Sequence, residues 1–343
     1  MAEAYAEILV VDLLGGMGDL LMLLPAVHGL ARRNPRARLR VLTHEPGAEL
    51  VRADPAVTEV RTPRHGRPGA ERAAVVEALT ESRPDLAVTT TRYDGIPDLL
   101  TASGARCVTD LWRRPPPDQP VGTRYLEILH VEGLLDRVDL TALPRVHVEE
   151  EARAAGERTV ARLVGDPVAP PVVLVNDAGM AVKRWPRRHW RELSAALTER
   201  GHPVLTVGAD EDPPGVPLPR GDLPTLAGQF KAVGRRGGVV VGPDTGPVRL
   251  AAASGAATVA LFGATDARRY GIGGVDLQGS PSCPHRQPTA ITEQPCWWEA
   301  ACPLDRTGPA CMADLGVPVV LDAVLDATGA AAGRCLANQP RLP

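Results

Sequence analysis

The sequence predicts an α/β protein of two doubly wound, Rossmann-like domains facing a cleft, and three observations carry that expectation. Residues 239–263 read V-V-V-G-P-D-T-G-P-V-R-L-A-A-A-S-G-A-A-T-V-A-L-F-G. A β-branched run, a tight turn, an alanine-rich helix pattern and a second apolar run make a βαβ unit, and its crossover implies parallel strands. Residues 8–43 show the same order of elements, here with a glycine-rich first loop. The alternation then restarts after G-D-P-V-A-P-P at 165–171, which reads as a linker. The expected domains are therefore 1–165 and 172–343, with ligands at the carboxyl ends of the strands.

Composition narrows the class. With 343 residues, about two domains are expected. A net charge of -3 gives no broad basic footprint, so nucleic acid is not an expected partner. No apolar run approaches the ~20 residues that span a bilayer. The acidic start M-A-E-A-Y-A-E is unlike a signal or transit peptide, so a cytoplasmic protein is expected. Aromatic residues are only 3%, so the cores must be built from Val, Leu and Ala. Lysine occurs only at Lys183 and Lys231 among 38 basic residues, so a lysine at a motif position is informative. Its compact ammonium is a different tool from a planar guanidinium.

In chain order, 8–11 is an apolar strand that runs into Asp12-Leu13-Leu14-Gly15-Gly16-Met17-Gly18-Asp19. The spacing at 20–33 predicts a helix with Pro25 in its early turns, where proline is tolerated. Strands are expected at 39–43, 57–60 and 86–90. Helices are expected at 70–82, 123–135 and 149–164, and loops at 64–69 and 112–120. The second half predicts strands at 172–175 and 204–207, a helix at 188–200 ended by Gly201, and a closing helix at 319–331 after Pro318.

Two loops carry candidate chemistry. Asp244, Thr245 and Gly246 precede a helix, where free N–H groups and the helix dipole favour phosphate; the alternative is a simple helix cap. Asp19 lies in a glycine-rich loop where a carboxylate could take a proton from a hydroxyl. It could equally be the N-cap of the next helix, and Asp12, Glu45 and Asp94 are rival carboxylates.

Three segments together resemble the heptosyltransferase family of glycosyltransferases. They are Gly16-Met17-Gly18-Asp19 with Leu24-Pro25-Ala26, then Lys183-Arg184-Trp185-Pro186 with His189-Trp190. The third is Asp244-Thr245-Gly246 with Leu250-Ala251-Ala252 and Leu261-Phe262-Gly263-Ala264-Thr265-Asp266. Order and spacing agree over about residues 8–315. The resemblance implies the GT-B fold and an inverting transferase using a nucleotide-diphosphate sugar, usually ADP-heptose. The amino-terminal half would hold a hydroxyl acceptor and the carboxyl-terminal half the donor.

No catalytic metal is implied, so protein groups must meet the departing diphosphate. Asp19 matches the family's base. Lys183 is the expected diphosphate ligand, with Gly18, Gly179, Thr245 and Gly246 lining the site. Asp244 is expected to orient its loop or bind a sugar hydroxyl, and Trp185 and Trp190 to anchor the core. The sequence departs from the family at Arg249, where a histidine is usual, and at Leu13, where a basic residue is common. Arg249 is expected to bind phosphate through its planar fork. The acceptor could be a secondary metabolite, a glycan or a protein hydroxyl. The rival readings are a sugar-nucleotide epimerase on the same fold and a non-catalytic scaffold. A homo-oligomer is compatible with all three.

Four of the six cysteines, Cys283, Cys296, Cys302 and Cys311, fall in one proline-rich stretch at 283–311. Four thiolates there could bind tetrahedral Zn or Fe as a structural staple. The alternative is four reduced, partly buried thiols. The segment resembles the four-cysteine, iron-holding region of autotransporter heptosyltransferases. Cys107 and Cys335 read as isolated small hydrophobes.

Overall fold

The computed structural model describes residues 5–64, 67–165, 169–208 and 213–337, with side chains as far as residue 330. The chain forms two compact units, one of residues 1–115 and 121–147, the other of 116–120 and 148–343.

The first unit contains β1 (Glu7–Asp12), α1 (Met17–Arg33), β2 (Arg38–Thr43), β3 (Glu59–Arg61) and α2 (Ala70–Glu81). It continues through β4 (Leu86–Thr89), α3 (Ile96–Ala102), β5 (Arg106–Val108) and α4 (Val121–Val131). The strands form one parallel sheet in the order β3-β2-β1-β4-β5. The chain runs outward from β1 to β3 and then returns to the other side of β1. The gap between the carboxyl ends of β1 and β4 is thus the switch point where such sheets take ligands. Leu9, Val11, Ala87, Val75, Ile96 and Leu100 pack one face of the sheet.

The second unit contains α5 (Glu150–Val164), β6 (Val172–Val175), α6 (Arg187–Glu199), β7 (Val204–Val207) and β8 (Val216–Pro217). Next come α7 (Leu223–Arg235), β9 (Val239–Pro243), α8 (Gly246–Ala253), β10 (Ala257–Phe262), α9 (Ala267–Tyr270) and β11 (Val275–Gln278). Two helices close it, α10 (Ala310–Ala313) and α11 (Val317–Ala337). Its parallel sheet has the order β11-β10-β9-β6-β7-β8, with the switch point between β6 and β9. Trp185 and Trp190 are buried in its core and meet edge to face at 4.7 Å, as their anchoring role requires.

The structure corrects several expectations. α1 begins at Met17, capped by Gly16, so Pro25 lies in its third turn and Asp19 in its first turn rather than at a loop tip. The short strand β3 and the helices α3 and α7 carry weaker patterns than the sheet cores, and the last two were missed. The unit boundary falls at 147/148 instead of 165–172, because α5 packs on α7. Of the expected linker, residues 166–168 lie outside the described residues, as does the side chain of Cys335.

Two glycines explain the attachment of α5. A Cβ on Gly156 would stand 2.3 Å from the Gly228 carbonyl, and one on Gly228 would stand 2.2 Å from the Ala152 oxygen. The backbones touch, and Arg236 locks the pair by donating to Glu157 at 2.5 Å. Gly156→Ala is expected to destabilise the second unit by about 1–3 kcal/mol, the usual cost of overpacking. Helix propensity alone would favour alanine, so a gain of stability in urea denaturation would refute the close contact.

Candidate functional site

The first unit gathers polar groups at its switch point. Asp12, the last residue of β1, is buried and accepts a 2.5 Å hydrogen bond from the Thr90 hydroxyl. Burial pushes its carboxyl up to about 7; the Thr90 bond opposes the rise and the charge of Asp19 adds to it. The Leu13 N–H donates to Thr91 Oγ1 at 2.9 Å, and the Tyr93 hydroxyl donates to the Leu13 carbonyl. Glu71 ties Tyr93 to His44, whose Nε2 lies 2.9 Å from Glu71 Oε1. Burial, reinforced by Glu71, holds the Tyr93 phenol at about 12, so it remains a donor.

This network fixes the start of the glycine-rich loop. Gly15 adopts φ +96°, which an L-side chain rarely takes. Gly16 then caps α1 without any side-chain hydrogen bond. Asp19 is therefore not the N-cap. Its Oδ2 lies back over Gly16, where a Cβ would meet it at 2.7 Å. A half-buried carboxylate in the first turn is favoured by the helix dipole. Of the rivals, Glu45 pairs with Arg52 and Asp94 sits at a left-handed turn before α3.

The second unit builds a charged cluster at its own switch point. Lys183, after β6, directs its Nζ to the Asp244 carbonyl at 3.0 Å and to Asp244 Oδ2 at 3.1 Å. Arg249 donates to Asp244 Oδ1 at 2.5 Å and also to the Tyr270 carbonyl. Burial alone would raise the Asp244 carboxyl, but the charges and hydrogen bonds of Arg249 and Lys183 outweigh it and hold it at about 2. The three ionised groups sum to one positive charge at the start of α8.

Thr245 occupies the N-cap position of α8, yet its hydroxyl turns back to the Pro243 carbonyl at 3.1 Å and caps nothing. Thr245 and Gly246 are half-buried, and Gly179 is exposed with open space beside its Cα. Arg249 departs from expectation. It is 8% exposed, and its guanidinium clamps Asp244 and the Tyr270 backbone instead of offering a fork to phosphate. A carboxylate five residues earlier, within its reach and buried, draws it inward.

The cysteine segment packs against this cluster. Cys283, Cys296, Cys302 and Cys311 line one cavity together with His285, Arg286 and Gln294. All four are free thiols. Among the described residues, no three His, Cys, Asp or Glu side chains are arranged to hold a metal ion. Burial pushes the Cys296 thiol up and the Cys311 thiol to about 11. Arg286 ties the segment to the sheet by donating to the carbonyls of Gly263, Gly279, Ser280 and Pro281 at 2.7–3.1 Å. Trp297 packs with Val182, Ala264 and Cys296, a contact the sequence did not reveal. The Thr89-Thr90-Thr91 run closing β4 was the one available signal for the first unit's network.

Comparison with known proteins agrees with this architecture. The family model of glycosyltransferase family 9 (heptosyltransferase) matches residues 111–217 and 218–296. Lipopolysaccharide heptosyltransferase 1 of Pseudomonas aeruginosa is 33% identical over 149 residues, which span 38% of this chain and only 40% of that protein. A glycosyl transferase family 9 structure from Veillonella parvula superposes with TM-score 0.76 at 14% identity, covering 96% of this chain and 99% of that one. E. coli heptosyltransferase WaaC with ADP gives TM-score 0.64 at 19% identity, covering 94% and 99%. The iron-containing dodecameric glycosyltransferase TibC of enterotoxigenic E. coli gives 0.57 at 14% identity, covering 98% and 78%. These likenesses establish the GT-B fold. Among the described residues no helix is long and apolar enough to cross a membrane.

The raised Asp12 carboxyl makes a pH prediction. The folded protein holds a proton that the unfolded chain releases above its ordinary value of 3.8, so stability falls as pH rises from there through about 7. Asp12→Asn keeps the shape without the charge. Its stability relative to the natural protein should climb between about pH 4 and 7, by up to ~4 kcal/mol, and then level off. Parallel urea-denaturation curves across that range would refute the shift.

Proposed function

The chain belongs to glycosyltransferase family 9, the heptosyltransferase family, and from that premise we propose that it moves a sugar, heptose or a relative, from a nucleotide-diphosphate donor to an acceptor hydroxyl with inversion. The observation that carries the reading is the Lys183 ammonium, held by Asp244 at the start of α8. That charge and the free N–H groups of the helix suit a diphosphate.

In this reading Lys183 and the Gly246 N–H hold the donor's diphosphate, the Thr245 hydroxyl rotates from the Pro243 carbonyl to join them, and Gly179 lets the diphosphate approach the backbone. Asp244 holds Lys183 rather than touching phosphate, which a carboxylate would repel. On the acceptor side, Gly18 opens the first turn of α1 and Asp19 is the base. As the acceptor oxygen bonds to the anomeric carbon, the bond from that carbon to the phosphate oxygen breaks. Its electron pair leaves with the diphosphate, and the acceptor's proton passes to Asp19. Lys183 faces the charge that develops on the leaving group.

We propose further that the four cysteines take up one Zn or Fe ion. They are unpaired thiols around a single cavity, and the neighbouring Arg286 guanidinium suits the negative charge of a four-thiolate site. Such an ion would staple an irregular segment and take no part in sugar transfer.

Asp19→Asn is expected to lower turnover by about 10²–10⁴-fold, while calorimetric affinity for the nucleotide-diphosphate sugar stays unchanged; undiminished turnover would remove Asp19 from the role. The donor is found by a thermal-shift panel of ADP-, GDP-, UDP- and TDP-sugars. Elemental analysis of the purified protein should find one metal ion per chain, lost in Cys296→Ser. Metal-free protein with an intact fold would refute the staple.

A further inference from the structure

We propose that Trp297 is a positioning residue for Lys183, so that the cysteine segment sets how strongly the second unit holds a diphosphate. The proposal rests on the reading of Lys183 as the diphosphate's ligand.

Trp297 follows Cys296 directly and is 6% exposed. Its ring lies under the Lys183 ammonium, with Nζ 5.6 Å from the ring centroid. That is within the range where the ring quadrupole attracts a cation. The lysine side chain is itself only 19% exposed, so the attraction is little screened. The same indole packs on Val182, the residue before the lysine, and on Ala264 at the end of β10. Ring and backbone together restrict a side chain that otherwise has four rotatable bonds.

The division of labour follows from chemistry. Two N–H bonds of the ammonium reach Asp244, at its carbonyl and its Oδ2. The indole attracts the charge through its face and presents no oxygen to it. The third N–H therefore remains for a phosphate oxygen, while the ammonium is held at a fixed point. A second carboxylate in place of the ring would hold the lysine equally well and add a negative charge beside the phosphate.

The segment behind the ring is anchored at the sheet end. Arg286 bonds the Gly263 carbonyl, next to Ala264, through two nitrogens at 3.1 and 2.8 Å. A Cβ on Gly263 would stand 2.5 Å from Met312 Sδ and 3.0 Å from Cys311 Sγ. The thiol cavity, Arg286 and Trp297 thus form one packed body against the loop that carries Lys183.

The test uses the chain's scarcity of lysine. Protein labelled with ¹³C at lysine Cε gives two side-chain signals, assigned by Lys231→Arg. The Lys183 Hε protons should resonate upfield from the ring current, move to an ordinary position in Trp297→Leu, and keep part of the shift in Trp297→Phe. The Lys231 signal reports whether the fold is intact. Unchanged Lys183 protons in Trp297→Leu overturn the proposal, and Trp297→Phe carries the same test if the leucine variant does not fold.

Calorimetry with inorganic pyrophosphate then reads the consequence. Trp297→Leu should weaken binding about 3- to 10-fold, Trp297→Phe should restore part of it, and the loss should largely vanish when Lys183 is already alanine. If Lys183→Ala weakens binding and Trp297→Leu does not, or the two losses simply add, the proposal fails and the diphosphate reading stands. If pyrophosphate affinity is absent or indifferent to Lys183→Ala, the diphosphate reading fails and takes the proposal with it.

Discussion

The second unit depends on one buried carboxylate. Asp244 lies at the end of β9, 3% exposed, where an unpaired charge would be strongly disfavoured. Lys183 arrives from the loop after β6 and Arg249 from the first turns of α8, and each gives it a hydrogen bond. Arg249 also holds the Tyr270 carbonyl at the end of α9. One side chain therefore gathers the loops beyond three neighbouring strands, β6, β9 and β10. Removing the carboxylate would leave two like charges in close proximity and release all three loops. The cluster also explains why Arg249 turns toward the interior. Its charge is required for the balance, and its geometry is already committed to the interior.

The first unit meets the same problem in the opposite way. Asp12 stands at the end of β1, as Asp244 does at the end of β9, each at the switch point of a parallel sheet. Its neighbours in charge and hydrogen bonding are a hydroxyl and a second carboxylate rather than two cations. Burial then favours the neutral acid. A neutral Asp12 places no like charge beside Asp19. The two sheets thus place an acid at equivalent points of their folds and hold them in different protonation states. One leaves Asp244 ionised between two cations at a helix start; the other leaves Asp12 neutral beside the glycine-rich loop.

Much of this was legible in the sequence, and the reasons for what was not are physical. Parallel strands buried on both faces leave continuous apolar runs, so 8–11, 172–175 and 239–241 could be read directly. Glycine-rich turns and a scarce lysine marked the two loops. The start of α1 was misjudged because Gly16 and Gly18 look like loop residues, although a glycine can cap a helix and tolerate its first turn. The assignment of α5 to the second unit depends on two glycines 72 positions apart that meet backbone to backbone, a contact no local pattern encodes. The inward turn of Arg249 is illegible in the sequence for a related reason. Its residue type suggests phosphate, but its partner was settled by the burial of Asp244, which only the packed structure supplies.

The cysteine stretch shows how an irregular segment can have a defined role without secondary structure of its own. Between β11 and α10 the chain contains four prolines from Pro281 to Pro295, one short 3-10 turn, Ile291–Glu293, and one isolated bridge between Cys302 and Asp305. Its order must come from side chains. Arg286 supplies it by collecting carbonyls just beyond β10 and β11, which it shares with the Gln278 side-chain amide. Four thiols converge behind that guanidinium, and Trp297 projects from the same body onto the lysine loop. Without that body Lys183 would be held by Asp244 alone. Anchored at both the sheet end and the thiol cavity, the segment presents a rigid aromatic face, and the ammonium's position becomes a property of the segment as much as of Asp244.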